Sequence, residues 1–174
     1  MTGVSETADT RVIARAGLWS VFALVLSLAW EIAHVRLYTL WDSADRMTIA
    51  WSVLHCSLGD VVIALTLFAL AGFTLRQKDW PVLRPIAGSA IVIIGAMAFT
   101  VLSEWFNVYE IGSWAYTANM PMIFGIGLSP LLQWLILPPL MTVTYRALWP
   151  RLFDRRSSSA SIPLRILWRS ENER

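Results

Sequence analysis

Four stretches of the chain stay apolar long enough to cross a bilayer, and short polar segments separate them. A helix rising 1.5 Å per residue needs roughly 20 mostly apolar residues to traverse a hydrocarbon core of about 30 Å. Residues 16–35, 47–75, 85–106 and 124–145 meet that requirement. A lone apolar strand would leave backbone N–H and C=O groups unpaired in lipid, so each stretch reads as a helix. The pattern therefore predicts an all-α integral membrane four-helix bundle over residues 1–150. A basic tail over residues 151–174 follows it.

Composition strengthens this reading. Hydrophobic residues make up 56% and charged residues 15% of the chain, against about 45–50% and about 25% in soluble globular proteins. That balance leaves too much apolar surface for an aqueous fold. The single cysteine, Cys56, excludes an internal disulfide and any CxxC redox or zinc pattern. Nucleotide-binding motifs are absent and the basic residues do not form a nucleic-acid stripe, so no nucleic-acid partner is expected.

Charge adds orientation. Of the 14 Lys and Arg residues, only Arg36 and Arg46 fall in the segment between the first two stretches. The others precede the first stretch, separate the second from the third, or follow the fourth. Short cytoplasmic loops carry the excess of Lys and Arg. Both termini are thus expected in the cytoplasm, and segments 36–46 and 107–123 outside, as in a bacterial inner (plasma) membrane protein. A competing reading of the first stretch is a secretory signal cleaved after Ala29. It is weakened by the apolar run continuing past that point. The arginines of the tail would be drawn to anionic head groups, and "IPLRILWR" could lie along the interface as a short amphipathic turn.

The segment before the fourth stretch has its own character. Residues 107–123 contain no Lys or Arg and are rich in aromatic side chains. Gly112, Pro121, Gly125, Gly127 and Pro130 interrupt any long helix there, which predicts an ordered cap over the outer mouth of the bundle. Pro138 and Pro139 predict a kink in the fourth helix. Ala87, Gly88, Ser89, Ala90 and Gly95 offer close helix packing in the third.

Once orientation is set, the polar residues inside the apolar runs acquire depth. Glu31 and His34 lie near the outer end of the first helix, about 60° apart and hence on one face, with Tyr38 continuing it. His55 and Asp60 descend from the outer end of the second helix, about 140° apart. Glu104 lies near the outer end of the third, and Ser129 and Gln133 lie in the outer half of the fourth. Ionisable groups within a membrane usually face the bundle interior, one another or a watery cavity. This predicts a carboxylate and histidine pocket opening outward.

Several chemistries would use such a pocket. The Glu-x-x-His spacing occurs in di-metal bundles, which carry two such pairs where this chain has one. A mononuclear divalent-metal site from His34 and His55 with Glu31 and Glu104 is one expectation. A b-type haem held by His34 and His55 is another. Without a cofactor, Glu31, Glu104 and Asp60 could perform acid–base chemistry on a small or lipophilic substrate drawn from the bilayer. They could equally couple protons to a small-molecule carrier. The plain alternative pairs Glu31 with Arg36, lets Glu104 reach water and leaves the histidines as packing residues. The chain would then be a non-catalytic subunit of a membrane complex.

Overall fold

The computed structural model of the protein describes residues 3–154, so the tail expected to follow the helices lies largely outside the described residues. Four long helices carry the fold: α1 (Gly3–His34), α3 (Arg46–Thr74), α5 (Pro85–Trp105) and α6 (Leu128–Trp149). Two short ones, α2 (Leu40–Ser43) and α4 (Trp80–Leu83), lie in the connections. A 3-10 turn, Val35–Leu37, continues α1, and a π-helical turn, Phe106–Glu110, continues α5.

Three segments are long and apolar enough to cross a membrane: Thr10–Leu37, Arg46–Thr74 and Pro85–Glu110. Their lengths of 28, 29 and 26 residues all exceed the roughly 20 that a bilayer requires. The fourth helix is less apolar and is not among them. One side of it is buried, including Pro130, Gln133, Trp134, Leu137 and Met141, and the other exposes Leu135, Ile136, Leu140 and Val143.

The four long helices close into a ring. α1 packs against α3 and α6, and α5 packs against the same two. Asp45 fixes the start of α3, its carboxylate accepting from the backbone N–H groups of Met47 at 2.9 Å and Thr48 at 3.1 Å and from the Thr48 hydroxyl at 2.6 Å. These bonds hold the Asp45 carboxyl below its usual range. Their contribution is present at neutral pH and is lost as pH falls through that lowered value. Asp45→Ala should therefore lower the hydrogen-exchange protection factors of the Met47 and Thr48 amides, measured against the intrinsic rate at the same pH, and acidification should lower them in the native protein. Unchanged protection in both would show that the cap is inert.

The end of the bundle remote from Asp45 is filled by aromatic residues. Trp19 and Trp80 are fully enclosed and meet edge to face at 5.3 Å, with Phe68 5.1 Å from Trp19 and Tyr145 6.2 Å from it. Their indole N–H groups donate to carbonyls of α3, Trp19 to Ala64 and Trp80 to Phe68, each at 3.1 Å. Such pairings satisfy the donors of these two indoles. Gly88 makes the arrangement fit: a Cβ there would lie 1.8 Å from the Trp80 ring. Beside it, Ser89 and Thr142 join α5 to α6 through a 2.8 Å hydroxyl pair. Arg15 closes this end by donating to Asp79 at 2.9 Å.

Boundaries differ from the expected ones in two informative places. α6 begins four residues after the anticipated start, because residues 122–127 fold back as a two-stranded ribbon. In it β1 (Met122–Ile123) pairs with β2 (Ile126–Gly127). Its turn takes left-handed backbone at Phe124 (φ 52°) and Gly125 (φ 84°), a conformation that only glycine adopts without cost. α6 itself runs unbroken through Pro138 and Pro139, although each lacks the N–H that a helix interior would use.

Candidate functional site

Between the Asp45 end and the aromatic core lies a cavity of about 940 Å³ walled by all four long helices. One carboxylate reaches it from each of three of them: Glu31 from α1, Asp60 from α3 and Glu104 from α5. Each is held differently.

Glu31 and His34 form the expected pair on one helical face. Glu31 Oε2 lies 3.1 Å from His34 Nε2. The other imidazole nitrogen, Nδ1, is 2.9 Å from the Ser129 hydroxyl in the first turn of α6. His34 is buried, and the Tyr38 ring stands edge-on to it at 5.5 Å. The result is a chain of three groups, Ser129 to His34 to Glu31, whose far end enters the cavity. Glu31 and His34 line that cavity and Ser129 does not. The hydroxyl therefore orients the ring, and Glu31 is the group presented to a ligand.

Glu104 is buried under the segment expected to act as a cap. Tyr116 donates to its Oε2 at 2.5 Å, and the Tyr38 hydroxyl lies 3.4 Å from both carboxylate oxygens. The Trp114 indole N–H also faces Glu104, without completing a hydrogen bond. Backbone bonds strap this segment to the end of α1: Thr39 N–H to Ala115 C=O and Thr117 N–H to Leu37 C=O, both 2.9 Å. Gly127 lets the Tyr116 ring approach, since a Cβ there would sit 3.0 Å from it. The Tyr116 phenol is raised above its ordinary value, first by burial and then by the bond to Glu104. It therefore remains a donor well beyond neutral pH.

Asp60 sits deeper. It accepts from the Gln133 amide of α6 at 2.5 Å, and Ser27 of α1 also reaches it. These contacts tie α3, α6 and α1 together at one level.

His55 departs from the expectation. It is exposed, its ring lies 6.4 Å from Trp51, and it reaches only the rim of the cavity. It shares an exposed helical stripe with Trp51, Gly59 and Val62, while Asp60 turns inward. Among the described residues no three His, Cys, Asp or Glu side chains converge as a metal-binding group. The anticipated set of His34, His55, Glu31 and Glu104 is thus not assembled. A haem between His34 and His55 is not favoured either, since both nitrogens of His34 are already engaged. The alternative pairing of Glu31 with Arg36 is also not seen, because Arg36 lies over the Trp41 ring at 4.9 Å.

Sequence reasoning placed Tyr38, Ser129 and Gln133 near these carboxylates but did not pair them. It did not identify Tyr116 as a ligand of Glu104. Compared with models of known protein families, with curated proteins and with solved structures, the chain matches none. The site's geometry is therefore the basis for any functional reading.

Proposed function

We propose that this is a four-span, multi-pass membrane protein with both termini in the cytoplasm, residing in a bacterial inner membrane. Its outward cavity holds the polar end of an amphiphile, with which Glu31 exchanges a proton. One observation carries the reading: the Ser129–His34–Glu31 chain ends in the wall of a 940 Å³ cavity. A carboxylate backed by an imidazole can take up a proton and pass it on, as general acid–base chemistry requires. Only Oε2 of Glu31 is engaged by His34, which leaves Oε1 for the ligand.

Packing favours chemistry on a bound molecule over transport. Beyond the cavity, Trp19, Trp80, Tyr145 and Met141 fill the bundle with almost no exposure. A carrier would need a path through them.

Infrared difference spectroscopy tests the proton exchange. Adding hexadecylammonium, whose head can give up a proton, should move intensity from the carboxylate stretches into a carboxyl C=O stretching band, and Glu31→Gln should remove that shift. A band unmoved by ligand, or a shift that persists in the variant, would contradict it.

A further inference from the structure

The charge of the cavity wall limits what it can hold. Glu31, Asp60 and Glu104 line it, and among the described residues no Lys or Arg does. Two arginines on or next to α1 are directed elsewhere: Arg36 stacks on Trp41, and Arg15 pairs with Asp79 at the other end. Its two imidazoles offer little compensation. His34 is bonded at both nitrogens, and His55 lies at the rim. A phosphate or carboxylate head entering this space would lose its water without meeting a cation, which is the partner that buried anions require. An alcohol or amine head would instead donate to carboxylate oxygens.

The cavity also has a side entrance. α3 and α5 touch where Leu67 meets Gly95, so closely that a Cβ on Gly95 would lie 2.5 Å from Leu67 Cδ2. Towards the capped end, the exposed residues Gly59, Val62 and Thr66 of α3 and Phe99 of α5 line the cavity. Residues that face both the cavity and the surroundings mark an opening between the two helices. Along α3, the distance from Cys56 beside the carboxylates to Leu67 at the floor is about 16 Å at the helical rise. The walls of this lower part are mostly apolar, with Val62, Ile63, Leu67 and Phe99 beside the hydroxyl-bearing Thr66 and Thr100. A volume of 940 Å³ falls within the range of small-molecule sites, about 300–1,000 Å³, and suits one chain with its head.

We infer that the cavity admits a single-chain amphiphile sideways between α3 and α5 and selects one whose head bears no negative charge, an alcohol or an amine. This rests on the amphiphile reading above and adds the head-group class to it.

Native mass spectrometry of the detergent-purified protein tests the selection with three probes of equal chain length. Hexadecanol and hexadecylamine should each give a one-to-one adduct, and hexadecyl phosphate should bind at least tenfold more weakly. Gly59 offers a second arm, because a Cβ there meets nothing within 4 Å. Gly59→Arg, with its helical content checked by circular dichroism, should place a cation at the opening of the cavity and raise phosphate binding at least tenfold. Phosphate bound as tightly as the alcohol, or no gain in Gly59→Arg, would overturn the charge selection and leave the amphiphile reading standing. Failure of all three probes to bind would overturn both.

Discussion

Gly88→Val should destabilise this protein more than the same substitution at Gly17, Gly59, Gly72 or Gly95. The Gly88 Cα faces the Trp80 ring with no room for even one added carbon, the nearest ring atom being 1.8 Å from an ideal Cβ. Trp80 has nowhere to go. It is fully enclosed, bonded to the Phe68 carbonyl and wedged against Trp19. Overpacking a dense core typically costs about 1–3 kcal/mol and occasionally more. Here the added atoms meet a rigid ring, so the upper end of that range applies. Within lipid, helix association depends on such close packing instead of expulsion of water, so α4, α5 and α1 should loosen together. The thermal midpoint in detergent should fall by several degrees, with a change in tryptophan fluorescence. Gly88→Val combined with Trp80→Leu should recover part of the loss. An unchanged midpoint in the single variant would contradict this packing.

The second large effect concerns the cap. Tyr116→Phe removes the closest donor to Glu104 and leaves a buried carboxylate with only the longer Tyr38 contacts. Stranding a buried acceptor costs about 1–3 kcal/mol. The loss should appear as faster proteolysis within residues 107–123, with the helices intact. Glu104→Gln in the Tyr116→Phe background should restore part of the protection, because a neutral amide costs less to leave unmatched. The native contact also has a defined pH response. Burial and Glu104 raise the Tyr116 phenol above its unfolded value. Its contribution is therefore complete below the ordinary tyrosine range and is lost as pH rises through the raised value. Cap protection should be flat across neutral pH and fail only in strong alkali. Failure near neutrality would contradict the assignment.

The helices themselves were legible because membrane crossing imposes length and apolarity directly. The second and third helices were placed to within a residue of their observed ends. Glu31 and His34 were legible as a pair because three residues on one helix leave no freedom about sharing a face. The angle between His55 and Asp60 was equally readable, but not which of them turns inward. That depends on the neighbours of α3: Gln133 of α6 holds Asp60, and nothing draws His55 in. Contacts across long separations were also hidden. Ser129 is 95 residues from His34, and Tyr116 reaches Glu104 only because a strained ribbon and Gly127 aim the cap downwards. Trp80 lies between the second and third apolar stretches, where no pattern marks it as core, so the small residues of the third helix were found without the ring that needs them.

Cys56, the chain's one cysteine, lines the cavity among the carboxylates and permits the most direct measurement without any substitution. Enclosure of a single ligand space by α1, α3, α5 and α6 requires that saturating hexadecanol slow alkylation of Cys56 by N-ethylmaleimide at least tenfold. An alkylation rate unchanged by bound hexadecanol would contradict it.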